Sequence, residues 1–218
     1  MCGIVAMYSA QEPIAASALE RATLRLEHRG PDGQQTWVSE DRRVGLGHAR
    51  LSIIDLATGD QPIASEDEAL RIVVNGEFYD FEREQRNLES RGHRLRTRSD
   101  SEIALHLYED LGTACLHQLR GEFAFVLWDG LNDTLFAARD RFGIKPLYYA
   151  HCGGALYLSS EIKALLAAGV PVRWDHASFF QANHFLVTPQ DRTLFDGIHQ
   201  VPPGHFLLAT GGHVRLIR

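Results

Sequence analysis

Between Gly121 and Ser159 the chain is a succession of short apolar segments, each ended by a turn signal, and this stretch limits the fold more than any other. GEFAFVLWD (121–129), Leu135 to Arg139, Leu147 to Ala150 and Ala155 to Ser159 have strand length, with Asp129-Gly130, Asn132-Asp133 and Gly153-Gly154 between them. Segments so short, joined by turns so tight, predict antiparallel hairpins. Further strands are predicted over Gly3 to Tyr8 and around Thr36 to Ser39, Val44 to Leu51 and Leu70 to Val74, and a last hairpin turns at Thr210 to His213. Helical spacing follows Pro13 (Ile14, Ala18, Leu19, Ala22, Leu26), and helices are also predicted over Phe81 to Arg91, Glu161 to Ala168 and Asp175 to Gln181. Ser99-x-x-Glu102 reads as a capping box that opens a helix carrying Ile103, Leu107 and Leu111. No repeat, low-complexity tract or Pro/Ser-rich linker interrupts this order, so the expectation is one α+β domain with two packed sheets.

Composition bounds what such a domain can do. With 218 residues, 44% of them hydrophobic and 23% charged, the chain can bury a sizeable core. Its net charge of -6, from 22 basic and 28 acidic residues, without a dominant basic tract, argues against nucleic acid as a partner. The one basic cluster, Arg91 to Arg98, reads as the solvated face of a strand. No apolar run reaches the roughly 18 residues that span a bilayer. MCGIVAMYSA has no basic leader, so the expected location is the cytoplasm, with no membrane partner. Cys2, Cys115 and Cys152 form no CxxC pair and are expected to be free thiols. The 11 histidines fall at no zinc-site spacing and include no HExxH, so no metal site is expected.

Cys2 is the sharpest chemical candidate. A small residue after Met1 permits removal of the initiator methionine, leaving one residue that carries both a thiol nucleophile and an α-amine able to take its proton near neutral pH. By itself Cys2 reads as a small apolar residue opening a strand. Asn75-Gly76 offers an amide side chain and an unobstructed backbone N–H at a strand end, the donors of an oxyanion hole, or alternatively a hairpin turn. Arg50 can grip a carboxylate with its planar fork, and Asp100 and Glu77 can accept from an ammonium; alternatively they are a strand-end charge, a helix cap and a solvated acid. Taken together these residues supply what is needed to cleave the side-chain amide of a free amino acid.

The order of motifs then becomes telling: Met-Cys-Gly-Ile at 1–4, His-Arg-Gly-Pro-Asp-Gly at 28–33, Gly-His-Ala-Arg-Leu-Ser-Ile-Ile-Asp at 47–55, Asn-Gly-Glu at 75–77 and Ser-Asp-Ser-Glu at 99–102. The chain resembles the glutaminase domain of class II glutamine amidotransferases, and the Pro-Asp after His28-Arg29-Gly30 favours the asparagine synthetase branch. The resemblance runs on through Arg-Asp-Arg-Phe-Gly-Ile-Lys-Pro at 139–146 and Val-Pro-Pro-Gly-His at 201–205, so it implies a glutaminase domain over 2–218. It implies the four-layer α/β/β/α sandwich of N-terminal nucleophile hydrolases, with two mostly antiparallel sheets. It implies Cys2 as nucleophile and base, and Asn75 with the Gly76 N–H as oxyanion hole. L-Glutamine would be bound by Arg50 at its carboxylate, by Asp100 and Glu77 at its ammonium, and by backbone at Leu51 and Ile53. Asp80 departs from the family's usual Asn and touches none of these roles.

Asparagine synthetases continue into an ATP-pyrophosphatase domain that opens with a Ser-Gly-Gly-x-Asp-Ser phosphate loop, which this sequence lacks. No cofactor is therefore expected in this chain. ATP and Mg belong to a synthetase domain or subunit as partner, and self-association is also compatible with the sequence. Two competing readings are a non-catalytic glutamine-sensing or subunit-association module, disfavoured because Cys2 is present, and a hydrolase of another amide, disfavoured by the paired carboxylate and ammonium grips.

Overall fold

Alternation along the strands builds the molecule. In β1 (Gly3–Ser9) the even positions Ile4, Ala6 and Tyr8 enter one hydrophobic cluster and the odd positions Val5 and Met7 another, as the two-residue side-chain period of a strand buried on both faces requires. The computed structural model describes residues 1–187 and 190–218. It forms two six-stranded sheets. The first runs β10 (Ile198–Gln200), β8 (Tyr148–Cys152), β9 (Ala155–Ser159), β1, β3 (Val44–Arg50), β2 (Gly33–Val38). The second runs β12 (His213–Ile217), β11 (Phe206–Thr210), β7 (Thr134–Arg139), β6 (Gly121–Asp129), β5 (Leu70–Phe78), β4 (Ile63–Ala64). Neighbours are antiparallel throughout.

The central core lies between the sheets, where Ile4, Tyr8, Val44 and Leu46 meet Val73, Val126, Trp128 and Leu135. Each large side chain fully buried here contributes about 1.5–3 kcal/mol relative to exposure. Outside the first sheet, α1 (Ala16–Leu24) and α4 (Ile162–Ala168) cover Val5, Met7 and Ala49 with Leu19, Ala22 and Ala164. Outside the second, α2 (Phe81–Ser90) and α3 (Glu102–Leu111) cover Ile72, Val74 and Phe125 with Leu88, Ile103 and Leu107. The layers are therefore α/β/β/α, as expected. A further helix, α5 (His176–Phe185), is capped by Asp175, whose carboxylate accepts from the N–H groups of Ala177 and Ser178.

Three local readings need correction. Arg91 to Arg98 is a turn and loop between α2 and α3, not a strand face: the N–H groups of Arg91, Gly92 and His93 close the end of α2, and those of Arg94 and Arg96 go to the Glu66 and Glu102 side chains, instead of to a neighbouring strand. The capping box does not form, because the N-cap of α3 is Ser101 and the Glu102 carboxylate reaches back to the N–H groups of Arg96 and Thr97. Asn75-Gly76 is neither a turn nor a strand end. β5 continues to Phe78, and a Cβ at Gly76 would meet the Glu122 carbonyl oxygen at 2.2 Å, so the glycine serves close approach to β6. The other expected elements differ only at their boundaries, as where α5 runs four residues past Gln181 to Phe185, while the short strands β4 and β10 and the 3-10 turns over Gly112–His117 lie outside the sequence reading. Asp80, the family departure, takes the left-handed conformation (φ 59°) before α2 and pairs with Arg120 at 2.8 Å.

Candidate active site

The inner-face parity that builds the central core also builds the pocket. Continued along β3, the inward series Val44, Leu46 becomes His48 and Arg50; along β5, Val73 becomes Asn75 and Glu77; along β6, Val126 and Ala124 lead to Glu122. β1 pairs Gly3 with Ala49, which brings Cys2 to the same end as Arg50, and β5 pairs Glu77 with Glu122. At that end of the sandwich the apolar filling gives way to polar side chains from both sheets. Every residue singled out from the sequence lines this one pocket: Cys2, Arg50, Leu51, Ile53, Asn75, Gly76, Glu77 and Asp100.

The Cys2 end is held tightly. The Arg29 guanidinium donates through Nε to the Cys2 carbonyl at 2.8 Å and through Nη1 to Glu161 at 2.9 Å. Ser160 and Ser159 hydroxyls bracket Ile4, at 3.1 Å from its N–H and 3.0 Å from its carbonyl. Gly30 lets the His28 to Gly33 segment pass against β3, since a Cβ there would lie 2.2 Å from the Ala49 carbonyl. The Asp32 carboxylate then accepts from Ser52 N–H at 2.7 Å. The Cys2 Sγ lies 3.4 Å from the donating Leu51 N–H and 3.7 Å from the Leu51 carbonyl. Burial pushes the thiol pKa up, while the Leu51 N–H, the chain's amino terminus and Arg50 draw it back.

Arg50 is buried with its fork engaged: Nη1 donates to Asp60 at 2.6 Å and Nη2 to the Asp55 carbonyl. A Cβ at Gly59 would sit 2.9 Å from Nη2, so that glycine gives the guanidinium its room. Opposite, Asn75 is completely buried, and neither its Oδ1 nor its Nδ2 has a hydrogen-bond partner among the described residues. Asp100, buried at the entry to α3, accepts from Phe78 N–H at 2.7 Å; burial dominates and raises its pKa, with the Glu77 charge adding to the rise.

Among the members of the pocket wall that sequence reasoning missed, four shape its chemistry. His48 lies inside the Gly-His-Ala-Arg motif, and the parity of Arg50 would have found it; burial drives its pKa down to about 4, leaving a neutral ring whose Nε2 faces the Val74 carbonyl at 3.3 Å. Gln61 joins the walls, accepting from Val74 N–H at 2.6 Å and donating to the Ser101 hydroxyl at 3.2 Å. Lys145 reaches Glu122 at 2.7 Å, offsetting the two glutamates that face each other across β5 and β6. The fourth is Gly59, for which no local sequence signal exists.

Comparison with known proteins gives matches over nearly the whole chain. Residues 1–217 match the family described as glutamine amidotransferase domain. The chain is 40% identical over 220 residues to amidase chry2 of Gibberella zeae, covering 95% of this chain and 32% of that protein. It is 36% identical over 209 residues to the glutamine-hydrolysing asparagine synthetase 1 of Bacillus subtilis, covering 94% of this chain and 33% of that protein. It thus spans about a third of the length of these curated relatives. The fold matches that of the glutamine phosphoribosylpyrophosphate amidotransferase from B. subtilis, solved with ADP and GMP, with a TM-score of 0.74 at 20% identity over 100% of this chain and 49% of that one.

Proposed function

This chain belongs to the glutamine amidotransferase domain family, and from that premise we propose that it hydrolyses L-glutamine to L-glutamate and ammonia through a thiolester at Cys2. Removal of Met1 frees the Cys2 α-amine, which takes the thiol proton, directly or through a water. The thiolate attacks the side-chain carbonyl carbon of glutamine, and the oxyanion that forms accepts hydrogen bonds from Asn75 Nδ2 and the Gly76 N–H. The protonated amine of Cys2 passes its proton to the departing nitrogen, and ammonia leaves. Water, activated by the same amine, then hydrolyses the thiolester to glutamate. Arg50 holds the substrate carboxylate, Asp100 and Glu77 its ammonium, and the backbone at Leu51 and Ile53 lines the approach. None of these steps uses ATP or Mg.

The observation that carries the reading is Asn75. Leaving a buried amide unpaired costs about 1–3 kcal/mol, yet both its polar atoms lack a partner among the described residues, and they do so on the inner face that Cys2 shares. A substrate oxyanion supplies the missing acceptor for Nδ2. In this reading the ammonia goes to an ATP-pyrophosphatase synthetase domain or subunit in the cytoplasm, which activates a carboxylate acceptor. The asparagine synthetase among the relatives, three times the length of this chain, supports that assignment.

The test is glutamate release from glutamine without ATP, together with the mass of the active protein. The expected result is turnover by a protein that begins at Cys2. Full activity in a preparation that retains Met1 would overturn the mechanism, because acylating the amine removes the base.

A further inference from the structure

A second convergence of titratable side chains lies outside the pocket, where the loop after α2 meets α3 and the turn that follows β4. His106, fully buried in α3, has Nε2 3.4 Å from Glu102 Oε1 and Nδ1 2.5 Å from Glu109 Oε2. His93, in the loop, has Nε2 3.0 Å from Asp110 Oδ1 and Nδ1 3.4 Å from the same Glu109 oxygen. The two rings stand 4.9 Å apart. Glu66 completes the group: its Oε1 accepts from Arg94 N–H at 2.7 Å, and its Oε2 lies 3.9 Å from His106 Nδ1.

Each imidazole thus has a carboxylate on its outer nitrogen, and the two Nδ1 atoms turn toward a shared space with carboxylate oxygens of Glu66 and Glu109. One ligand atom from each of Glu66, His93 and His106 falls within 4.8 Å of the others. We propose that Glu66, His93 and His106 form a binding site for a divalent metal ion of the zinc type, with Glu109, paired with both rings, beside it. Two imidazole nitrogens with one carboxylate oxygen and a fourth position for water match zinc's four-coordinate preference, whereas calcium and magnesium take oxygen donors alone. Glu102 and Asp110 act as the outer carboxylates that fix ring orientation and tautomer in such sites. Asp110 is itself anchored by Arg91 at 2.6 Å, and Glu102 by the N–H groups of Arg96 and Thr97, both at 2.7 Å. Four carboxylates with Arg91 as the one guanidinium bonded to them among the described residues leave negative charge that a divalent ion offsets. Access runs through Glu66 and Glu109, which reach the surface.

The ion's role is structural. It ties loop 91–98 and the Glu66 turn to α3, the helix whose first turn follows Asp100 of the pocket wall. The competing occupant is a proton: despite burial, Glu102 and Glu109 hold the His106 pKa up at about 9.

The experiment uses full-length protein without an affinity tag, stripped with a chelator and titrated with Zn2+ by calorimetry, then with Co2+ by visible absorption. Cys2→Ala is titrated in parallel to separate uptake by the thiol. The expected result is one equivalent bound in both proteins, with the intense visible bands of four-coordinate cobalt, no thiolate charge-transfer band, and a raised melting temperature. His93→Gln and Glu66→Gln, which change partly exposed residues, should each weaken binding by at least tenfold, and Asp110→Asn by roughly 10- to 100-fold. A His184→Gln control should bind normally. Absence of stoichiometric uptake, or uptake unchanged in the His93→Gln, Glu66→Gln double variant, would overturn the proposal and assign the cluster to the proton on His106.

Discussion

On the β1–β3 side of the pocket nearly every polar group already has a partner: the Cys2 carbonyl on Arg29, the thiol on Leu51, the Arg50 fork on Asp60 and Asp55. On the β5 side, Asn75 sits at the same depth with both amide atoms unpaired. Both walls come from inner-face positions of well-packed strands, so packing does not account for the contrast. A paired group holds its position before substrate arrives, and that is what a nucleophile and an anchoring guanidinium require. An unpaired group carries a standing stability cost that persists where a ligand supplies the partner. In the proposed mechanism the first wall serves placement, and the second serves recognition of a species that exists only during reaction.

Substitutions at the two walls should therefore fail differently. Cys2→Ala should have the largest effect, taking glutamate release down to background while far-UV circular dichroism and the melting temperature stay near wild type, since among the described residues the thiol hydrogen-bonds only to the Leu51 backbone. Undiminished turnover in that variant would remove the nucleophile assignment. Asn75→Ala should lower kcat by roughly 100- to 1,000-fold, the usual cost of one lost oxyanion donor, and leave KM much closer to wild type. Its stability is the sharper reading: no protein hydrogen bond is lost, so the variant should be as stable as wild type or more so. A clear loss of stability, or a change in KM alone, would make Asn75 a structural residue and erase the contrast between the walls.

His48, on the paired side, links the comparison to pH. Its folded pKa of about 4 lies below the ordinary 6.5, so the unfolded chain takes up the proton first as pH falls. The associated stability is complete above pH 6.5 and is lost between 6.5 and 4, amounting to at most about 3 kcal/mol at 1.36 kcal/mol per unit. Urea midpoints of wild type and His48→Gln across that window should converge as pH falls. Parallel curves would mean that the ring carries its proton in the folded state.

How much of this was legible in the sequence depended on whether the information was local. Strand length, turn residues and helical spacing predicted the two sheets and their flanking helices, and Cys2, Arg50, Asn75 and Asp100 stood out because each carries chemistry of its own. What escaped notice was set by partners distant in sequence. β5 outran its predicted end because Gly76 serves contact with β6, a fact no window around residue 76 contains. Ser99 looked like a cap, but Glu102 turned to Arg96 and Thr97 instead. Glu66, His93 and His106 meet only because α3 folds back on the loop before it and on the turn after β4, at spacings no metal motif uses. The inner-face parity that places His48 beside Arg50 was available, and needed only the step of continuing a core pattern past its last apolar residue.

Arg50 gives the smallest expected effect and the finest test of the paired wall. Its bond to Asp60 is short, at 2.6 Å, but the Asp60 side chain is 56% exposed, and half-exposed ion pairs contribute about 0–1 kcal/mol. A substrate carboxylate that reaches the buried guanidinium therefore has little to displace, and the Asp55 carbonyl keeps the fork oriented meanwhile. Arg50→Ala should raise the KM for glutamine by roughly 10- to 100-fold, as expected for a lost hydrogen bond between charged groups, with a smaller change in kcat. Arg50→Lys should not restore it, because an ammonium lacks the planar fork. Asp60→Asn separates two accounts of the pair. If Asp60 competes with the substrate for Arg50, KM should fall by up to about fivefold, the equivalent of the 1 kcal/mol such a pair can contribute. If KM rises instead, Asp60 positions the guanidinium, and the first wall depends on its surface partners as much as on its buried ones.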